Sequence, residues 1–119
     1  MKRILIIDDE PRLRQAMMDM LTYVGYETVG AADGITGLQL ISEYLPDLVI
    51  ADVLMPRLDG YELLRQIREN PRTQNLPVIL VSGVAEYRSV QQGLALGALE
   101  YVSKPFAVEE LLSAVRAVA

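Results

Sequence analysis

The stretch ILIIDDEP at residues 4–11 decides the fold class, because it joins an apolar strand to two carboxylates and a helix start. Residues 4–7 are mostly β-branched and do not alternate with polar residues. Such a run is typical of a strand buried on both faces of a parallel sheet. Asp8 and Asp9 follow it at once, and Pro11 suits the first turn of a helix. The stretch therefore predicts one strand–helix unit of an α/β protein.

The same alternation of a short apolar run with a helical period occurs five times along the chain. Strands are predicted at residues 4–7, 28–31, 48–51, 78–81 and 100–103, and the more mixed second and fifth belong near the sheet edges. Helices are predicted where apolar residues recur at helical spacing: Leu13, Ala16, Met17, Met20, Leu21 and Val24; Ile35, Leu38, Ile41 and Leu45; Leu63, Leu64 and Ile67; Tyr87, Val90 and Leu94; Val108, Leu111, Leu112, Val115 and Val118. Five such units predict a parallel sheet covered by helices on both faces.

Several residues mark the ends of these helices. Asp33 and Asp59 suit the N-cap position, and Glu62 stands three residues after Asp59, which is the spacing of a capping box. Gly25 and Gly97 suit the position that follows a helix end. The sequence contains no internal repeat, low-complexity run or linker, so residues 1–119 are predicted to form one domain.

Composition excludes several classes of function. The 119 residues are 51% hydrophobic and 23% charged, as in an ordinary globular protein, and the net charge of −5 argues against direct nucleic-acid contact. The absence of Cys and His excludes disulfides, thiolate metal sites and phosphohistidine chemistry within this chain. Neither a membrane span nor a signal-peptide pattern occurs in the sequence. We therefore expect a cytoplasmic protein that makes no membrane contact.

Polar residues stand directly after four of the five predicted strands. Asp8 and Asp9 follow the first strand, Asp52 the third, Ser82 the fourth and Lys104 the fifth. In open α/β sheets, ligands bind in the crevice outside the carboxyl ends of the strands. An aspartate or serine after a strand is often only a turn residue or a helix cap. Five polar residues at corresponding places predict instead that they meet at one edge of the sheet.

The residue types at this edge suit phosphoryl chemistry. At about 4 Å and an effective dielectric near 20, each pair of carboxylates repels by roughly 4 kcal/mol, which a proton or a divalent cation relieves. Oxygen ligands without His or Cys favour a hard cation, and an open site with few protein ligands favours Mg²⁺. A carboxylate beside Mg²⁺ can attack phosphorus, as in aspartyl-phosphate enzymes. Ser82 and Lys104 would donate to the phosphoryl oxygens.

The motifs together resemble the response-regulator receiver domain of two-component signal transduction, in the CheY-like superfamily. They are IIDDE at residues 6–10, DVLMPRLDG at 52–60, VSG at 81–83, GA at 97–98 and KPF at 104–106. The resemblance covers the whole chain, with the motifs in the family's order and separations. It implies a flavodoxin-like three-layer sandwich, in which five helices cover a five-stranded parallel sheet of order 2-1-3-4-5.

The resemblance also implies a role for each matching residue. Asp52 corresponds to the phosphoacceptor. The implied Mg²⁺ ligands are Asp9 and Asp52, the backbone carbonyl of Leu54, and Asp8 acting mostly through water. The implied phosphoryl-binding groups are Ser82, Lys104 and the backbone near Gly83. The peptide bond between Lys104 and Pro105 is expected to be cis, as in the family. Ser82 and Tyr101 match the switch pair, in which the aromatic ring turns inward when Ser82 is drawn to the phosphate.

The implied function is a phosphoacceptor switch rather than an enzyme that turns over an external substrate. A sensor histidine kinase, a phosphotransfer protein or a small phosphodonor would phosphorylate Asp52, with Mg²⁺ as the only cofactor. Phosphorylation would change the face formed by helix 4, strand 5 and helix 5, and this face would control an output domain or target protein. The six tyrosines and the apolar fourth and fifth helices permit a homodimer without demanding one.

Some positions depart from the family pattern. Leu54 and Val84 flank the expected path of the hydrolytic water, and both are aliphatic. We expect slow loss of the phosphoryl group, because apolar side chains neither orient nor admit that water. Leu99 stands where many relatives have an acidic residue, and Gly93 interrupts the fourth helix at a cost of about 1 kcal/mol relative to Ala.

Three other functions are alternatives to the phosphoacceptor switch. A haloacid-dehalogenase-type Mg²⁺ phosphatase needs Asp-x-Asp after the first strand, whereas residues 8–11 read DDEP. A flavodoxin needs a Ser-, Thr- or Gly-rich first loop to cradle phosphate, and two carboxylates would repel one. A receiver-like interaction module that is not phosphorylated would tolerate losses at the active site, yet every required position is occupied.

Overall fold

The computed structural model describes residues 2–83 and 87–118, within which five strands alternate with five helices. The strands are β1 (Arg3–Ile7), β2 (Glu27–Ala31), β3 (Leu48–Asp52), β4 (Val78–Ser82) and β5 (Glu100–Ser103). The helices are α1 (Pro11–Tyr23), α2 (Gly34–Tyr44), α3 (Gly60–Glu69), α4 (Tyr87–Ala95) and α5 (Val108–Val118). All neighbouring strands are parallel, in the order β2-β1-β3-β4-β5. This architecture confirms the predicted flavodoxin-like fold.

The sheet is buried from both sides at its centre and less so at its edges. All five residues of β3 and of β4 are buried, whereas β2 and β5 are only partly covered, as their mixed sequences predicted. Successive side chains of a strand point to opposite faces of the sheet. Ile4 and Ile6 therefore join α1 and α5 in one apolar cluster, and Leu5 and Ile7 join α2 and α3 in the other.

The predicted helix ends are found where the capping residues stand. The side chain of Asp33 accepts a hydrogen bond from the Thr36 backbone N–H at 2.7 Å, and Asp59 accepts one from the Glu62 N–H at 2.8 Å. The capping box at Asp59 is only half formed, because the Glu62 carboxylate pairs with Arg65. Pro11 begins α1, and Gly25 and Gly97 have φ of 105° and 103° just after α1 and α4.

The prediction was wrong for six residues of the apolar stripes, which are exposed rather than buried: Ala16, Val24, Ile35, Leu45, Leu94 and Val108. In α2 the buried face instead includes Gly37, at which a Cβ atom would lie 2.4 Å from Ile7 Cδ1. The helix lies so close to β1 that glycine occupies the contact and Ile35 points elsewhere. Periodicity of apolar residues could not reveal a contact made by a residue without a side chain.

Among the described helices, none combines the length and apolar character that crossing a bilayer requires. The parallel arrangement brings the carboxyl ends of all five strands to one edge of the sheet. The loops that leave this edge begin at residues 8, 32, 53, 83 and 104. Those loops and strand ends hold the polar residues singled out from the sequence.

Candidate functional site at the carboxyl edge of the sheet

The predicted site residues lie at the ends of adjacent strands. Asp52 is the last residue of β3 and Ser82 is the last residue of β4, while Asp8 immediately follows β1. Asp52 of β3 pairs with Val81 of β4, and Ser82 of β4 pairs with Ser103 of β5. The backbone N–H of Lys104 donates to the Ser82 carbonyl at 2.8 Å, which brings the end of β5 to the same place. Strand pairing thus brings residues far apart in sequence into one crevice.

Asp8, Asp9 and Asp52 form an acidic cluster at this edge. Each offers a carboxylate oxygen, and these oxygens all lie within 4.8 Å of one another. Asp8 is fully buried and Asp52 is 7% exposed, whereas Asp9 is open to solvent. Carboxylates this close repel one another, most strongly Asp8 and Asp52, because their burial limits screening by water. The donor set is hard, acidic and open on one side, which fits Mg²⁺.

Lys104 supplies the positive charge that faces this cluster. Its Nζ lies 3.0 Å from Asp52 Oδ2 and 3.3 Å from Asp8 Oδ2. Glu10 Oε2 is farther from the same nitrogen, at 4.0 Å. The lysine side chain is itself mostly buried, and the peptide bond from Lys104 to Pro105 is cis. One ammonium therefore bridges two buried carboxylates.

The electrostatics of Asp52 reflect both its burial and these neighbours. Burial raises the pKa of Asp52 and the charge of Asp8 raises it further, while Lys104 and the Leu54 backbone N–H lower it. The net pKa shift is upward, because the cost of desolvation exceeds the help from Lys104. Burial lowers the pKa of Lys104, but Asp52 and Asp8 together outweigh it, so that pKa is raised and the ammonium keeps its proton.

Backbone contacts hold the carboxylates in place. The Leu54 N–H reaches Asp52 Oδ1 at 3.3 Å, and the Glu10 N–H donates to Asp8 Oδ1 at 2.9 Å. Arg14 Nη1 donates to the Asp8 carbonyl at 2.7 Å and so anchors the first acidic loop to α1. Sequence reasoning missed Arg14, because nothing in a stripe of helical residues signals that one arginine points back to the preceding loop.

Gly60 was also missed as a site-shaping residue, although it belongs to the DVLMPRLDG motif. A Cβ atom at this position would lie 2.5 Å from the Asp52 carbonyl oxygen and 2.8 Å from Val53 Cα. Its N–H donates to the Val53 carbonyl at 2.9 Å. The start of α3 therefore lies directly against the backbone of the phosphoacceptor candidate. A glycine immediately after an N-cap aspartate is the signal that could have revealed this close approach.

Ser82, Gly83 and Tyr101 complete the described site. Ser82 is fully buried, and a Cβ atom at Gly83 would meet nothing within 4 Å. The Tyr101 ring is half-buried and packs against the apolar cluster beneath α3. Burial, followed by interaction with the Tyr61 hydroxyl, raises the pKa of Tyr101 to about 12. The Leu54 side chain is 59% exposed, and Val84 lies outside the described residues.

Comparison with protein-family models matches residues 4–116 to the response regulator receiver domain. The DNA-binding dual master transcriptional regulator RpaA of Synechocystis is 38% identical over 117 residues, covering 98% of this chain and 48% of that protein. The response regulator MprA of a Mycobacterium species is 41% identical over 115 residues, covering 97% and 49% respectively. The chain thus spans about half the length of these curated relatives.

Solved structures agree with the sequence comparison. Chemotaxis protein CheY4 of Vibrio cholerae superposes with a TM-score of 0.94 at 31% identity, covering 100% of this chain and 99% of that one. The chain therefore belongs to the response regulator receiver domain family. It is the receiver domain of a two-component response regulator, a signalling class in which one domain acts as a switch.

Proposed function

We propose that this receiver domain accepts a phosphoryl group on Asp52 and so switches a two-component response. The main observation in support is the 3.0 Å contact between Lys104 Nζ and Asp52 Oδ2 within the acidic cluster. A single ammonium held against two carboxylates is poised to exchange one of them for a phosphoryl oxygen. A cap or a turn residue would need no such arrangement.

In the proposed reaction, an Asp52 carboxylate oxygen forms a bond to phosphorus. The bond from phosphorus to the donor breaks, and the leaving group, an imidazole nitrogen or acetate, departs with the electron pair. Lys104, the Ser82 hydroxyl and the backbone at Gly83 would donate to the phosphoryl oxygens. Asp8, Asp9, Asp52 and the Leu54 carbonyl would hold Mg²⁺, which supplies positive charge at the transferring group when bound.

The burial of Asp52 helps this chemistry. Desolvation makes the carboxylate a better nucleophile than one in water. Lys104 offsets part of the negative charge of the site before the donor arrives. Asp8 is fully buried and so holds its position relative to Asp52. We propose that the acyl phosphate is lost slowly, since the exposed Leu54 side chain offers no polar group to orient water.

We propose that this domain is cytoplasmic and that its donor is a sensor histidine kinase, a phosphotransfer protein or a small phosphodonor. We propose that its output is an effector domain or a separate target. The transcriptional output is suggested by RpaA, which is named as a DNA-binding regulator. The face formed by α4, β5 and α5 would carry the signal. The domain would modify only itself, and repeated turnover of a phosphate monoester would contradict this part of the proposal.

Intact-mass spectrometry after incubation with acetyl phosphate and Mg²⁺ tests the proposal. One phosphoryl group should appear on the parent chain and be absent from Asp52→Asn, because an amide cannot form the acyl phosphate. Asp19→Asn is the matched control, since that exposed aspartate on α1 contacts only Gln15 among the hydrogen bonds described. Equal phosphorylation of the parent and Asp52→Asn would overturn the assignment.

A further inference from the structure

Asp9 differs from the other two aspartates of the acidic cluster in how its carboxylate is held. Asp8 Oδ1 accepts a hydrogen bond from the Glu10 backbone N–H at 2.9 Å. Asp52 Oδ2 lies 3.0 Å from Lys104 Nζ. In the part of the chain that the structure describes, no hydrogen bond or ion pair reaches the exposed Asp9 carboxylate. The position of this carboxylate therefore depends on the backbone that carries it.

The Arg14 guanidinium holds that backbone. Arg14 Nη1 donates to the Asp8 carbonyl oxygen at 2.7 Å. This oxygen belongs to the planar peptide unit between Asp8 and Asp9, so holding it constrains the direction in which the chain enters Asp9. The Asp8 N–H donates to the Ala31 carbonyl at 3.1 Å, which holds the preceding peptide unit. The backbone is thus held on both sides of Asp8, and Arg14 makes the contact that is nearer to Asp9.

Gly30 of β2 makes room for the Arg14 side chain. A Cβ atom at Gly30 would lie 3.1 Å from Arg14 Cδ, 3.4 Å from Arg14 Cγ and 2.8 Å from Met18 Sδ. The aliphatic part of Arg14 therefore lies across the backbone of β2, and this path brings its guanidinium to Asp8. Because both neighbours are flexible side chains, alanine at position 30 would displace them rather than disrupt the strand.

The charge of Arg14 and its hydrogen bond have opposite effects on a bound cation. The Arg14 guanidinium pairs with no carboxylate among the described residues, so it adds positive charge close to the cluster. Coulomb interactions alone would therefore make a cation bind more tightly when this charge is removed. Loss of a contact that orients the ligands has the opposite sign, and it typically weakens metal binding by about 10–100-fold. The sign of the change thus distinguishes orientation from charge.

We propose that Arg14 is a positioning residue that sets the Mg²⁺ affinity of the acidic cluster by holding the peptide unit between Asp8 and Asp9. Gly30 contributes to the same arrangement, because it determines the path of the Arg14 side chain. The inference rests on the Mg²⁺ site of the proposed function. It adds to that site two residues, on α1 and β2, that contribute no carboxylate to the cluster.

An NMR titration of the backbone amides with MgCl₂, at constant ionic strength, measures the Mg²⁺ dissociation constant without any phosphorylation. Arg14→Met keeps an extended apolar side chain and removes the donors and the charge, and it should raise the dissociation constant about tenfold. Arg14→Lys keeps a charged donor and should recover part of the lost affinity. Gly30→Ala should also weaken Mg²⁺ binding. It should add little in the Arg14→Met background, because both changes act on one contact.

Arg12→Met is the matched control, because Arg12 is an exposed arginine of α1 that makes no hydrogen bond or ion pair with the described residues. It removes the same charge, so its Mg²⁺ dissociation constant should equal that of the parent or be lower.

If Arg14→Met bound Mg²⁺ as tightly as Arg12→Met, while melting at a lower temperature in chelator, the Arg14 contact would be purely structural and the inference would be overturned. If Arg14→Met did not fold, unchanged Mg²⁺ affinity in Gly30→Ala would have the same meaning. Absence of Mg²⁺-dependent shifts at the amides of residues 8–10 in the parent would instead contradict the proposed Mg²⁺ site itself.

Discussion

Asp52 ends a strand whose other four residues are apolar, so one carboxyl group interrupts an otherwise hydrophobic surface. Burial raises its pKa, whereas Lys104 and the Leu54 backbone N–H lower it. Burying a charge costs free energy that a single ion pair does not recover in full. An apolar residue at position 52 would therefore stabilise the fold better, and the aspartate is explained by chemistry rather than by stability.

Tyr101 gives a prediction in which the pH dependence has a definite sign. Its pKa is about 12 in the folded chain, against an ordinary value of 10.0, so the folded state holds this proton more tightly than the unfolded state does. The contribution to the free energy of unfolding is fully present below about pH 10 and is lost as the pH rises toward 12. Tyr101→Phe should therefore lose less stability than the parent between pH 9 and pH 11, by roughly 1 kcal/mol.

Urea unfolding of both proteins at the two pH values measures this difference, and tyrosinate absorbance should show one fewer high-pH ionisation in the variant. Tyr23→Phe is a suitable control, because the Tyr23 side chain is almost fully exposed, and this variant should lose stability with rising pH as the parent does. Identical alkaline slopes for the parent and Tyr101→Phe would show that Tyr101 ionises normally.

At the scale of elements, α3 meets β3 through backbone rather than through side chains. Gly60 begins the helix, and a Cβ atom there would press on the Asp52 carbonyl and on Val53 Cα. Backbone atoms of a central strand cannot move aside as a side-chain end can. Gly60→Ala should therefore destabilise the domain by about 2–3 kcal/mol, measured by urea unfolding, and weaken phosphorylation by displacing Asp52.

Gly83→Ala is the matched control for this prediction, since a Cβ atom there has no neighbour within 4 Å. It should leave stability unchanged or raise it by about 0.4–1 kcal/mol, because alanine restricts the unfolded chain. If Gly60→Ala were as stable as Gly83→Ala, the close approach of α3 to β3 would not be a constraint on the fold.

The elements that could be predicted from the sequence are those whose signals are local. Residues 48–51 and 78–81 are apolar without alternation because β3 and β4 are buried on both faces, and the same rule left β2 and β5 at the edges. Asp33 and Asp59 cap helices with their own side chains, so their positions alone marked two helix starts. The convergence of Asp8 and Asp52 followed from strand direction, without any knowledge of the loops.

The features that could not be predicted depend on contacts between distant elements. Ile35 satisfies the helical period, yet Gly37 makes the contact with Ile7 because α2 lies too close for a side chain. Tyr61 resembles any aromatic residue in an amphipathic helix until α4 is placed beside it, where the Tyr61 hydroxyl donates to the Ser89 carbonyl at 2.9 Å. Periodicity reports which face of a helix is apolar, but it contains no information on interhelical distance or hydroxyl direction.

At the scale of the whole molecule, the site is assembled from the ends of four strands and therefore depends on the complete sheet. Asp8, Asp52, Ser82 and Lys104 come together only when β1, β3, β4 and β5 are paired. The unfolded chain has no such cluster, so a cation bound there stabilises the folded state by mass action. The carboxylates that repel one another in the folded chain are the same groups that would bind Mg²⁺.

Magnesium should consequently raise the thermal stability of the whole domain. At a free Mg²⁺ concentration ten times the dissociation constant, binding adds about 1.4 kcal/mol to the free energy of unfolding, which corresponds to a rise of about 5 °C in the melting temperature.

Asp52→Asn should melt at a higher temperature than the parent when Mg²⁺ is chelated. The variant removes a buried charge beside Asp8, while Lys104 keeps its 3.3 Å contact with Asp8. Its melting temperature should rise much less on adding Mg²⁺.

Differential scanning calorimetry, with chelator and with a series of Mg²⁺ concentrations, distinguishes stabilisation by Mg²⁺ from the effect of removing the buried charge. Asp19→Asn removes the same charge from an exposed position on α1, so it should follow the parent throughout the titration. As Mg²⁺ increases, the melting temperature of the parent should approach or exceed that of Asp52→Asn. The cation relieves in the parent the repulsion that the variant has already lost. An equal Mg²⁺ response in all three proteins would mean that the cation binds away from the acidic cluster, and that the buried carboxylates are balanced by Lys104 alone.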